Sequence, residues 1–114
     1  MSTKKMLIDI KNSMFTRMNG TILRTLNVIE NNRCRLSSFE FTFNATVKHD
    51  EFISNVKYLS RNGYIDPWNC YGKPTDFRAE QFNDTEMILT AKGIQILREK
   101  ITDCCILCIT GRTL

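Results

Sequence analysis

Three thiols crowd one short stretch, Cys104, Cys105 and Cys108. The last two form a C-x-x-C, a pattern with which thiolates chelate zinc or cycle between dithiol and disulfide. A zinc site needs a fourth ligand, and the other candidates considered, Cys34, Cys70 and His49, fall at irregular spacing. No metal and no cofactor is therefore expected. On a helix, Cys104 and Cys108 share one face and pack as small apolar side chains. Five cysteines, odd in number and unevenly placed, do not make a secreted disulfide framework. Reduced, mostly buried thiols are expected.

A different chemistry lies around residues 48–61. Phe52, Val56 and Leu59 recur at i, i+4 and i+7, the spacing of a helix face turned to a core. Ser54, Asn55 and Tyr58 would then point outward, with Lys57 at the edge of that face. Asparagine can bridge an adenine edge, and Ser or Tyr can reach base or phosphate. Lys48 and His49 precede the helix, where phosphate contacts are common. The plain alternative is an ordinary solvated face. Catalytic chemistry finds no footing: the chain has one histidine, no G-x-S-x-G and no glycine-rich phosphate loop. No enzyme is expected.

The elements that hold these residues can be read in outline. At 114 residues and 42% hydrophobic, the chain can bury one core, so residues 1–114 are expected to form a single domain. Positions 4–18 place Leu7, Ile10, Met14 and Met18 at helical spacing. Asn19-Gly20 should break that helix, and Thr21 should start another through Ile22, Leu23, Leu26 and Ile29, ended by Asn31-Asn32. Residues 37–47 alternate like a strand, yet Ser37-Ser38 with Phe39 and Phe43 also suit a short helix, the preferred reading. Asp50 is the expected N-cap of the next helix, and Gly63 its left-handed stop. Residues 66–84 read as an irregular excursion holding Trp68, Tyr71, Phe77 and Phe82, whose simplest role is to fasten the loop to the body. Residues 86–90 read as a strand. A final helix is expected over 91–109, with Ile94, Leu97, Ile101, Cys104 and Cys108 forming a heptad seam.

Charge is uneven. Residues 1–64 hold ten Lys/Arg against five Asp/Glu, whereas 65–86 hold two against five. That basic half is compatible with a polyanionic partner. No stretch approaches the roughly 18 apolar residues of a membrane span. MSTKKMLIDIKNSM is a poor signal peptide, and no membrane association and a cytoplasmic location are expected.

Two short motifs, Leu59-Ser60-Arg61-Asn62-Gly63-Tyr64-Ile65 and Ile88-Leu89-Thr90-Ala91-Lys92-Gly93-Ile94, close this order of elements. With the helix before them, over about residues 20–103, the chain resembles the winged helix-turn-helix family. The likeness is to the small dimeric regulators of bacteria, plasmids and phages, among them the DNA-binding adaptors of tubulin-type partition systems. That resemblance implies an α+β, mainly α, winged-helix fold with a small antiparallel wing and terminal dimerisation helices. It also implies sequence-specific binding of double-stranded DNA for transcription control or for plasmid or phage maintenance. The helix at 49–62 would enter the major groove, with Lys48, His49, Ser54, Asn55, Lys57, Tyr58 and Arg61 contacting DNA, and Lys73 and Arg78 reaching it from the excursion. A homodimer would join through Ile94, Leu97, Ile101, Cys104 and Cys108, assisted by Leu7, Ile10 and Met14. The acidic excursion and Asp50-Glu51 depart from the family pattern. They keep open a protein-binding adaptor or inhibitor that uses residues 66–84.

Overall fold

The computed structural model describes residues 3–43, 47–69, 71–77 and 79–107. It is an α+β fold, mainly helical, with one three-stranded antiparallel sheet. Helix α1 spans Thr3–Val28 and a short strand β1 spans Arg33–Arg35. Helices α2 (Leu36–Phe43) and α3 (His49–Arg61) follow, then strands β2 (Ile65–Trp68) and β3 (Glu86–Leu89), and last helix α4 (Ala91–Leu97). β3 lies between the other two strands, with Cys34 opposite Met87 and Ile65 opposite Leu89.

The core forms where the apolar stripes converge. Ile22, Leu23 and Leu26 of α1 meet Leu36 and Phe39 of α2, Phe52, Val56 and Leu59 of α3, and Ile65, Met87 and Leu89 of the sheet. Phe39 stacks on both Phe43 and Phe52, while Phe82 meets Phe52 edge-on. Such offset and edge contacts add to what area burial alone contributes. Arg33 reaches from β1 to Glu86 of β3 with two hydrogen bonds of 3.2 and 2.8 Å. That pairing raises the pKa of Arg33 and lowers that of Glu86.

Several sequence expectations are corrected. Asn19-Gly20 does not break the first helix; α1 runs through both residues. Gly20 is there for close approach, since a Cβ would collide with the carbonyl oxygen of Leu107. Thr21 starts no helix but lies within α1, where its hydroxyl donates to the carbonyl of Arg17 one turn back. Asn31 and Asn32 both adopt positive φ, 63° and 53°. This conformation, which Asn tolerates better than most residues, turns the chain into β1. That strand was not anticipated from the sequence. α2 is helical but begins at Leu36, so Ser37 lies inside it. α3 begins two residues earlier than an Asp50 cap requires, with Lys48 at the N-cap and no side-chain cap bond.

The largest correction is at the other end. α4 stops at Leu97 rather than reaching residue 109, and Glu99 at φ 60° turns the chain away. The heptad seam therefore does not exist as a continuous face. Leu97 is buried in the core, Ile94 and Ile101 are packed partly against it, and Cys104 is exposed. Cys108 lies outside the described residues.

The two short motifs form one joint. Gly63, at φ 78°, ends α3, and Tyr64 leads into β2. The Thr90 hydroxyl donates to the Gly63 carbonyl at 2.6 Å and accepts from the Gly93 amide at 3.1 Å. The Lys92 ammonium donates to the Asn62 carbonyl at 2.9 Å and lies 5.1 Å from the Tyr64 ring centroid. A Cβ at Gly93 would strike the Tyr64 carbonyl, so only glycine lets α4 seat there.

Candidate nucleic-acid interface on the third helix

The free face of α3 is narrower than its sequence suggests. Asp50, Ser54, Lys57 and Arg61, spaced by four, three and four residues, are exposed along one line of the helix. Glu51 is exposed beside them. The cations thus sit at the C-terminal half of the helix and the carboxylates at its start. Lys57 and Arg61 also line a groove of about 430 Å³ between α3 and the excursion, together with Ser60, Asp66, Pro67, Thr75, Asp76 and Phe77. The opposing charges of Asp66 and Asp76 temper the cationic field in that groove.

Two expected contact residues turn inward. Asn55 is only 1% exposed, and its amide donates to Asn19 Oδ1 at 2.8 Å and to the Phe15 carbonyl at 3.1 Å. It joins α3 to α1 and has no free edge for a base. Tyr58 is half-buried, its ring edge-on to Phe15 and its hydroxyl 2.7 and 2.6 Å from the two oxygens of Asp103. Both are corrections to the outward-facing assignment, and both arise because α1 and the segment after α4 cover that flank.

The remaining candidates are scattered. Lys48 is exposed at the N-cap of α3. His49 is half-exposed, but its Nδ1 lies 2.6 Å from Glu40 Oε2 and its ring meets Phe82 edge-on. Ser54 is exposed while its hydroxyl bonds the Asp50 carbonyl. Lys73 is exposed in a tight turn ordered by the Asn69 side chain, which accepts from the amides of Tyr71 and Lys73. Arg78 lies outside the described residues. In the excursion, Phe82 is buried, Trp68 and Phe77 are half-buried, and Tyr71 is 83% exposed. Most of its aromatics therefore fasten it down, as the plain reading expects.

A polar centre that the sequence reading missed sits behind α3. Asp103 accepts from Tyr58, from the Tyr64 hydroxyl at 2.7 Å and from the Cys105 amide at 2.8 Å. Burial opposes the charge on Asp103, yet these hydrogen bonds outweigh it and hold its pKa below the ordinary value. Burial, reinforced by the same carboxylate, pushes the Tyr64 phenol up to about 12 and the Tyr58 phenol up as well. From this turn the Cys105 carbonyl accepts from Asn19, and Leu107 exchanges bonds with α1: its amide donates to Thr16, and its carbonyl accepts from Arg24. An Asp followed by two small residues was the available signal, since Asp often accepts from the amide two residues on. Assigning residues 91–109 to one helix concealed it.

Met6, Leu7, Ile10 and Met14 form an apolar stripe along the first half of α1, each about half exposed. No helix among the described residues is long and apolar enough to cross a membrane. Comparison with protein-family models, curated proteins and solved structures finds no match for this chain.

Proposed function

We propose that this chain is a winged-helix protein that binds double-stranded DNA as a homodimer, with α3 as its reading helix. The observation that carries the proposal is topological. The elements follow the order α1-β1-α2-α3-β2-β3-α4 with strand order β1-β3-β2, so α3 leads directly into the strand pair that would form the wing. The groove-facing set is smaller than the sequence suggests: Ser54, Lys57 and Arg61, with Lys48 at the helix start. Lys57 and Arg61 supply phosphate contacts, and Ser54 is the one neutral hydrogen-bonding side chain on the same line. Sequence-specific control of transcription or of plasmid or phage maintenance would follow from such contacts.

The dimer interface in this reading moves from the last helix to the first. Leu7, Ile10 and Met14, with Met6, offer an apolar strip that a second copy can cover. Two copies would present two α3 helices to successive major grooves.

The test is retention of a fluorescent mixed-sequence duplex, followed by anisotropy across salt. Binding should weaken steeply with added salt, because phosphate neutralisation releases counterions. Lys57→Glu with Arg61→Glu should abolish it while leaving the melting temperature unchanged. A parent protein that shows no salt-dependent binding at low ionic strength refutes the proposal. In that case the apolar stripe of α1 and the exposed Tyr71 favour a protein-binding module.

A further inference from the structure

We propose that Asp103, Cys104 and Cys105 form a binding site for a thiophilic divalent cation of the zinc and cadmium class. Three consecutive side chains in the turn after α4 bring a carboxylate oxygen and two sulfurs within 4.8 Å of one another. The two sulfurs lie 4.0 Å apart. Sulfurs bound at about 2.3 Å to a tetrahedral zinc are separated by about 3.8 Å, so the thiol pair needs little adjustment.

The backbone of this turn is fixed without any ion. The Cys105 amide donates to Asp103 Oδ1, the Ile106 amide to the Asp103 carbonyl at 3.0 Å, and Asn19 to the Cys105 carbonyl at 2.9 Å. Cys104 is exposed, while Asp103 and Cys105 are half-buried, so an ion can enter from solvent and keep water at a fourth position. Two sulfurs with one oxygen suit zinc or cadmium, whereas magnesium and calcium prefer oxygen throughout. On binding, two S–H bonds break, two metal–sulfur bonds form and two protons pass to solvent. Asp103 contributes an oxygen with no proton to lose. The Tyr58 and Tyr64 hydroxyls already hold that carboxylate in place, as hydrogen bonds do for metal-ligating carboxylates in general. Asp103 supplies the ligand that a count of thiols and the histidine alone leaves out.

The experiment titrates the reduced full chain with cadmium(II) alone and follows the ultraviolet sulfur-to-cadmium charge-transfer band. Saturation is expected at one equivalent, with an intensity of two sulfurs, and zinc(II) should remove the band by competition. Cys104→Ser and Cys105→Ser should each halve the band and weaken binding by at least about tenfold, a loss typical of a disturbed metal site. Asp103→Asn should weaken it with the band intact, and Cys34→Ser should change nothing. Cys104 is exposed, so its variant keeps the fold, which circular dichroism checks. A cadmium band unchanged in Cys104→Ser overturns the site.

Discussion

Asn55→Ala separates the orientation of α3 described above from the one its sequence suggests. In the parent, Asn55 and Asn19 are 1% and 0% exposed, and the bond between them is 2.8 Å long. Removing the Asn55 amide leaves Asn19 Oδ1 buried without that donor. The Phe15 carbonyl loses a bond as well, but it lies inside α1 and keeps its place in the helical ladder. An orphaned buried acceptor costs about 1–3 kcal/mol, and the small void adds about 1 kcal/mol, giving a loss of about 2–4 kcal/mol. At about 4 °C per kcal/mol, the melting temperature should fall by about 8–16 °C. Thermal unfolding followed by circular dichroism measures this directly. Asn19→Ala and the double variant complete a cycle, in which the double variant should lose about 1–2 kcal/mol less than the sum of the two single losses. If Asn55→Ala melts within about 1 °C of the parent, the side chain is not buried against Asn19. In that case α1 does not cover this flank of α3.

Gly20→Ala should destabilise, although alanine is the better helix former by about 1 kcal/mol, because its methyl would displace Leu107; protection of the Leu107 amide from hydrogen exchange should drop. Gly93→Ala should lower stability by about 1–3 kcal/mol, the usual cost of forcing extra volume into a filled site, as read from urea denaturation. The pH profile of stability should fall at both ends. Asp103 has a depressed folded pKa, so its contribution is present above the ordinary carboxylate value and lost as acid protonates it; Asp103→Asn should flatten that acid limb. Tyr64 has a raised folded pKa, so its contribution is present below about 10 and lost as pH rises toward about 12. Ile10→Glu should turn the proposed dimer into a monomer in sedimentation velocity, with no change in melting temperature beyond that of lost association.

What could be read from the sequence divides along physical lines. Phe52, Val56 and Leu59 were legible because a helix buries residues at that spacing whatever lies above it. Asn55 was not. It stands about 60° around the helix from Phe52, at the border of the buried arc, and its polarity alone argued for solvent. Only the position of α1, with Phe15 and Asn19 directly above, makes the interior polar enough to accept it. The motifs at 59–65 and 88–94 were legible as punctuation, but their mutual bonding through Thr90 and Lys92 is a tertiary fact. The C-terminal half of the last helix failed for a related reason. Ile101, Cys104 and Cys108 repeat as a seam would, yet the hydrogen bonds offered by Tyr58, Tyr64 and Asn19 hold Asp103 and Cys105 in a turn. Tertiary partners overrode a local periodicity.

The clasp of residues 105–107 over α1 also sets when this chain can fold. Asn19 meets the Cys105 carbonyl across a separation of 86 residues, and Arg24 meets Leu107 across 83. Closing so long a loop is slow compared with forming a helix, because nothing local rewards the chain until both ends meet. During synthesis α1 emerges before the segment that clasps it, with Ile22, Leu23 and Leu26 uncovered and the Gly20 notch empty. The surface that fills the notch is made more than 80 residues later. Completion therefore waits for residues 105–107, and the interval before they dock is when the domain is most exposed to aggregation and to chaperones.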